Sequence, residues 1–347
     1  MRVYEQDWLF SESMKVGALL SSPTLAREWL LQMGRAAARA GLSIQYCMAY
    51  SRHLLQSLEV PAVTQARASD DYQPGSVANW RTGGLAMLHD ALGLAPSKDS
   101  FWSSPRQPGS PYHDATEPNF RLHAAVASLG AGPVQVSDGL GHFDVDLVMR
   151  CCASDGRLLQ PNEPLKLVDA ALRRRALPLT ADGPDGDVSL ARNALGPRVF
   201  HSLLAADLNG TWSATPAKLG LPERATYRLF DLNAAAAPTK KVPLFTKDAP
   251  VVLGGRALPD FQLYSLLPIE SNGWALAGEL GKWCGHAAAR FLEVTTTPTG
   301  MLVEVVGSHN ETITIGAVDP TGDLKSHACC VPVGGAVKID PAGACFQ

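Results

Sequence analysis

The chain has 347 residues, enough to bury a large core and to divide into two domains. Hydrophobic residues make up 46% and charged residues 18%, and the formal net charge is −3. With a mean hydropathy near zero this describes a compact chain with no general pull toward nucleic acid or anionic membrane. No apolar run reaches the roughly 18 residues of a membrane span, and no basic start precedes an apolar signal core.

The opening run YEQDWLF (4–10) reads as a strand that delivers one carboxylate, Asp7, among aromatic and apolar neighbours. Ser22-Pro23 then offers an N-cap and a first-turn proline for a helix through LAREWLLQMGRAAARA, stopped by Gly41. SIQYCM (43–48) is strand-like, SRHLLQSL (51–58) a short helix, AVTQARAS (62–69) a strand, and residues 77–94 a helix with a soft Gly83-Gly84. After LAPSKDSFW come a Pro/Ser/Gly loop (103–116), a helix from about 117 to 129, a strand PVQVS (133–137) and a closing helix FDVDLVMRCCA. Strand–helix alternation with short connections predicts an α/β domain with parallel strands over residues 1–160.

Polar residues collect where the strands end, at Asp7, Cys47, Asp70-Asp71, Lys98-Asp99 and Ser137-Asp138. In a (β/α)8 barrel those ends form the active-site face. An open doubly wound sheet would instead call for a glycine-rich phosphate turn, and no such turn is present. The expected fold is therefore the C-terminal portion of a (β/α)8 TIM barrel. At about 30 residues per unit, residues 1–160 hold strands 4–8, so YEQDWLF reads as strand four. The three absent units predict a missing N-terminal segment of the same protein, and a chain that is poorly soluble and inactive when expressed alone. Residues 161–194, with Pro161, Pro164, a solvated Arg173-Arg174-Arg175 run and ADGPDGD, read as a connector. From residue 195 to 347, strand-like runs separated by Gly, Pro and Asn, with a hairpin signal in TTPTGM, predict an antiparallel β-sandwich domain.

The seven cysteines are odd in number, include two adjacent pairs and form no CxxC, so they read as buried apolar residues and not as a disulfide framework or zinc site. The nine histidines are scattered, with no HxxxH or HExxH. Nothing in the sequence asks for a metal or a cofactor. Two sequons, at Asn209 and Asn310, fit a secreted glycoprotein without fixing the compartment.

Asp7 and Asp71 lie about two strand–helix units apart, which places them across the mouth of the expected barrel. Retaining glycoside hydrolysis needs two such carboxylates about 5–5.5 Å apart, one to attack the anomeric carbon and one to protonate the leaving oxygen. Asp71 adjoins Asp70, and a neighbouring carboxylate favours the protonated form that suits an acid. Arg67 could donate bidentate hydrogen bonds to sugar hydroxyls. Trp8, Tyr46, Tyr72 and Trp102 offer flat faces for stacking. Turn and helix capping are the plainer roles for single aspartates in these settings.

The runs QARASDDYQP, PSKDSFWSSP, EPNFRLHAAVASLGAGPVQVSDG and DGRLLQP resemble, in order, segments of the raffinose synthase and alkaline α-galactosidase family, within the melibiase-like glycoside hydrolases. The resemblance covers residues 1 to about 240. It implies Asp7 as nucleophile, matching a K-x-D motif, Asp71 as acid/base, and Arg67 as the arginine of the same R-A-S-D-D segment. Asp99 and Trp102 fall where the family places pocket residues, and Asp138 matches its V-S-D aspartate. Trp8, Cys47 and Asp70 complete the implied substrate pocket. Two positions depart from the pattern. Glu5 stands where the family has lysine, which alters the donor pattern of the sugar pocket, and Lys98, read as a solvated side chain, replaces a tryptophan. The expected function is a retaining hydrolase or transglycosylase acting on α-galactosides or related α-glycosides, with an oligosaccharide as partner. The alternatives are a non-catalytic carbohydrate-binding relic and a scaffolding module without sugar chemistry.

Overall fold

A computed structural model describes residues 2–76, 79–109, 114–178, 182–233 and 241–346. Residues 77–78 of the expected helix, 110–113 of the expected loop, Ala181 of the ADGPDGD run, and 234–240 and 347 of the expected β-domain lie outside the described residues.

The first hundred residues follow the predicted alternation. Strands β1 (Val3–Gln6), β2 (Ser43–Tyr46), β3 (Val63–Arg67) and β4 (Ala95–Ser97) pair in that order, all parallel. Helices α1 (Leu9–Lys15), α2 (Gly17–Ser21) and α3 (Leu25–Arg39) link β1 to β2, α4 (Ser51–Gln56) links β2 to β3, and α5 (Gly83–Ala91) links β3 to β4. The helix-period stripe of α3 buries Leu30, Gly34 and Ala37. Gly34 is needed there, because a Cβ would come within 2.2 Å of Val60 Cγ1. Around this contact Leu9, Ile44, Tyr46, Leu54, Val63 and Leu94 close one core. The Gly83-Gly84 pair is no soft helix interior; it forms the first turn of α5, pressed against Leu167 and Ser189.

Beyond β4 come α6 (Phe120–Leu129) and α7 (Val145–Met149). Every residue of α6 from Leu122 to Leu129 is buried, as expected of a helix packed on all sides. Strand β5 (Glu163–Leu167), helix α8 (Asp169–Ala176) and strand β6 (Asp187–Leu195) follow. The remainder is β-structure: β7 (Arg198–Ala206), β8 (Thr211–Ala214), β9 (Tyr227–Asp231), β10 (Leu244–Phe245), β11 (Val251–Gly254), β12 (Gln262–Pro268), β13 (Ala275–Glu279), β14 (Phe291–Thr297), β15 (Gly300–Val306), β16 (Thr312–Val318), β17 (Leu324–Cys330), β18 (Ala336–Asp340) and β19 (Ala344–Phe346). These form an antiparallel six-stranded sheet, β10-β9-β12-β7-β6-β5, a β11-β8 ribbon, and the sheets β13-β16-β17 and β14-β15-β18-β19. Phe200, Leu267, Leu276, Val303, Ile313, Ile315, Val337 and Ile339 pack in the core that joins the six-stranded sheet to the last two sheets.

The expected fold class is overturned. Strand makes up 32% of the chain against 21% helix, and the described strands fall into five sheets with no (β/α)8 barrel among them. The parallel sheet stops at four strands and stays open, with no strand on the outer edge of β1 among the described residues. PVQVS does not extend it. Pro133 has no N–H to give a ladder, Gly132 is wedged against the Pro96 carbonyl, and the run makes a single isolated bridge, Val136 to Phe101. Residues 161–194, read as a connector, instead supply β5, α8 and β6, and so an edge of the largest sheet.

Polar contacts lock the segment after α7 onto the β-region. The Arg150 guanidinium lies 3.4 Å from the Trp283 ring centroid, and Trp283 N–H donates to the Arg150 carbonyl. Lys282 Nζ donates to the carbonyls of Met149 and Cys152, both at 2.8 Å. Arg290, 1% exposed, pairs with Glu279 at 2.7 Å and Glu311 at 2.6 Å, while Glu311 also accepts from Ser154 N–H. Burial dominates at Glu279 and raises its pKa despite Arg290. At Glu311 burial also pushes upward, but hydrogen bonds from Arg290, Ser308 and Ser154 outweigh it and bring the carboxyl down to about 2. A depressed folded pKa gives stabilisation that is complete above the ordinary Glu value and drains as pH falls toward about 2. Urea midpoints of the wild type should therefore fall across that acid window, and Glu311→Gln should flatten this part of the profile. At neutral pH Arg290→Met, which strands two buried carboxylates, should cost about 3–5 kcal/mol of unfolding free energy.

Candidate active site

Parallel pairing sets Glu5, Gln45 and Gln65 side by side in register. Side chains two residues apart share a face of a strand, so Arg67, the last residue of β3, and Asp7 and Cys47, just past β1 and β2, continue that polar row, with Asp99 following Ser97 of β4. Ile44, Tyr46 and Ala66 point the other way, into the core beneath the helices. Two sharp turns leave the row. Trp8 (φ 58°) and Met48 (φ 48°) are left-handed directly after Asp7 and Cys47, and Phe10 N–H donates to the Met48 carbonyl at 2.9 Å. Left-handed geometry is uncommon for bulky residues and persists only where the surroundings enforce it.

Arg67 is the hub. Its guanidinium reaches Asp71 at 2.7 Å, Asp99 at 3.2 Å and Glu5 at 3.5 Å. Asp99 is held from three sides. Its carboxylate accepts from Tyr72 N–H (2.5 Å) and Ser100 N–H (2.8 Å), and its own N–H donates to Ser69 Oγ (2.9 Å). Asp7 Oδ1 accepts from Trp8 N–H at 2.7 Å. Burial foremost, with Asp7 and Glu5 nearby against Arg67, pushes the Cys47 pKa well up. Cys47 thus stays a protonated donor and does not act as a thiolate nucleophile.

A second, buried layer lies behind the hub. Lys98, read from sequence as solvated, is 3% exposed. Its Nζ donates to the carbonyls of Asp99 (2.9 Å) and Ser100 (3.0 Å) and lies over the rings of Tyr72 and Phe101. Burial lowers its pKa to about 7, against the pull of Asp99 and Glu117. Tyr72 O–H donates to Glu117 at 3.0 Å, and Glu117 also accepts from Gly75 N–H and Asn119 N–H. His123 Nε2 lies 3.4 Å from Glu117, and burial first, then Lys98, lowers the His123 pKa and keeps the ring neutral.

The structure thus brings Glu5, Arg67, Asp71 and Asp99 into one contact group, with Asp7 and Cys47 at the neighbouring strand ends and Trp8 52% exposed beside Asp7. Asp71 is paired with Arg67 and not with its neighbour Asp70, whose backbone carbonyl is held by Asn79. Trp102 is 3% exposed and meets Tyr72 edge-on, so its ring backs the site and presents no open stacking face. Tyr46 is fully buried. Asp138 belongs to a separate group, accepting from Ser103 N–H at 2.9 Å and from Gln107, with burial raising its pKa. Glu117 and His123 were not singled out from the sequence, where no spacing marks either, and Lys98, which was, proves buried and not solvated.

No protein-family model matches the sequence, and no curated protein matches it.

Removing the hub cation should leave three carboxylates facing one another. Because Glu5 and Asp71 are solvent-exposed, Arg67→Met should cost about 1–3 kcal/mol in urea unfolding, less than a fully buried pair. Arg67→Lys should recover only part of that, since a point charge cannot span three acceptors.

Proposed function

We propose that this chain carries the site of a retaining α-glycoside hydrolase or transglycosylase, with Asp7 as nucleophile and Asp71 as acid/base. The observation that supports it is the Arg67-centred carboxylate group at the ends of adjacent parallel strands, with Asp7 in the same row. The ordered resemblance of residues 1 to about 240 to the raffinose synthase and alkaline α-galactosidase family agrees with it. In this reading an Asp7 oxygen attacks the anomeric carbon as the glycosidic C–O bond breaks and Asp71 gives its proton to the leaving oxygen. The same Asp71 then takes a proton from water, or from a sugar hydroxyl, which releases the glycosyl group from Asp7. The Trp8 N–H orients the Asp7 carboxylate, and exposed Trp8 offers a face at the rim. Three carboxylates around one guanidinium, with Asp7 in the same row, favour the positive charge that develops on the sugar ring.

A second reading, carbohydrate binding without turnover, is favoured by one detail: Asp71 is engaged by Arg67, the contact it would have to exchange to deliver a proton. Turnover and binding separate the two. The chain should bind raffinose, melibiose or an aryl α-galactoside saturably, read by tryptophan fluorescence. If catalytic, it should lose about 10²–10⁴ in kcat on Asp71→Asn and at least as much on Asp7→Asn, with binding retained. Saturable binding with no turnover supports the second reading. Unchanged kcat in either variant removes that residue's role, and no binding to any α-glycoside overturns both readings.

A further inference from the structure

We propose that His327, Cys329 and Cys345 form a redox-gated zinc site, in which a metal bridge replaces the disulfide when the cysteine pair is reduced. The donor atoms of these three side chains all lie within 4.8 Å of one another, and no other trio of His, Cys, Asp or Glu meets that spacing among the described residues. Strand alternation puts His327 and Cys329 on one face of β17 and turns exposed Cys330 to the other. Cys345 comes from β19, which belongs to a different sheet, and the Cys329–Cys345 disulfide joins the two with 5.9 Å between Cα atoms. Cys345 Sγ lies 3.8 Å from the Ala328 carbonyl and Cys329 Sγ 4.0 Å from the Ala344 carbonyl, so the two strand segments meet closely at this point.

The chemistry follows from the donor set. A dithiol reductant supplies two electrons and two protons, the S–S bond breaks, and the reductant closes to its own disulfide. Cys329 and Cys345 are then thiols next to an imidazole. Zn²⁺ displaces both thiol protons to water and takes two thiolates and one neutral His nitrogen, a common set for a borderline-soft dication, with water as fourth ligand. Zinc–sulfur bonds of about 2.3 Å in a tetrahedron put the sulfurs about 3.8 Å apart. β19 can supply that opening, since it is three residues long and pairs on one side only, with β18. Cys345 is exposed and admits reductant and ion, while buried Cys329 and half-buried His327 provide the inner wall. The sheets β13-β16-β17 and β14-β15-β18-β19 therefore keep a cross-link in either redox state.

The full chain, reduced with a water-soluble phosphine (which takes oxygen from water as the disulfide becomes two thiols), is titrated with Zn²⁺ by calorimetry and with Co²⁺ by absorbance. The reduced protein should bind one Zn²⁺ per chain, give a thiolate-to-cobalt charge-transfer band and gain thermal stability with zinc, while the oxidised protein binds none at that site. His327→Ala, which leaves the disulfide intact, should weaken zinc binding to the reduced protein at least about tenfold. Cys345→Ser, checked for folding by circular dichroism, should reduce the charge-transfer band, and Cys330→Ser should change nothing. The proposal is overturned if the reduced chain takes up no more zinc than the oxidised one. It also fails if His327→Ala binds as tightly as the wild type.

Discussion

The acidic end of the parallel sheet depends on one guanidinium. Glu5, Asp71 and Asp99 come from three separate segments, and without a cation between them their mutual repulsion would splay the ends of β1, β3 and β4. Arg67 can hold all three because its planar fork presents several donors in different directions. Its carboxylate neighbours outweigh the burial that opposes its charge. The same contact sets the loop that follows β3. Asp99, pinned by Arg67, accepts from Tyr72 N–H, so the residue after Asp71 is tied to the end of β4.

That loop in turn leans on the β-rich part of the molecule. Tyr72 reaches Glu117, which accepts from Asn119 N–H where α6 begins, and α6 packs in one core with Leu204 and Leu263 of the large sheet and with Trp283. Arg150 on Trp283, and Glu311 between Arg290 and Ser154, close the same joint from the other side. The position of Asp71 is thus set through an unbroken chain of contacts from the antiparallel sheets to the strand ends. The open parallel sheet is held by its packing against the β-region and not by closing on itself.

The local pattern of the first hundred residues was legible because apolar period and punctuation by Ser-Pro, Gly and Asn act over a few residues. Closure was not legible. Strand–helix alternation is satisfied equally by an open four-stranded sheet, and whether PVQVS adds to it is decided by the contact of Gly132 with Pro96, a long-range steric fact. The strand-end rule found Asp7, Asp71 and Asp99, since pairing register follows from strands of similar length starting together. Lys98, found at the same strand end, was misread as solvated because its burial depends on carbonyls at its own turn, and the stacking face read for Trp102 is turned inward to Tyr72. The Cys329–Cys345 bond was equally invisible, because it depends on how two separate sheets meet and not on spacing.

Glu5 shows how the charge balance of the site bears on what it could hold. A carboxylate in the row with Asp7 would be poorly tolerated if Arg67 served Asp71 and Asp99 alone. At 3.5 Å from Arg67 it is compensated, and it draws on the donor capacity that would otherwise face a ligand. The row therefore presents mostly acceptors: Glu5, Asp7, Asp71 and Asp99 against one shared cation. Acceptors of that kind bind hydroxyl groups by taking their protons in hydrogen bonds, and they repel phosphate and carboxylate groups. A neutral polyol fits such a surface better than an anionic metabolite does, and it needs its own hydroxyl protons to do the donating that a lysine at position 5 would have done.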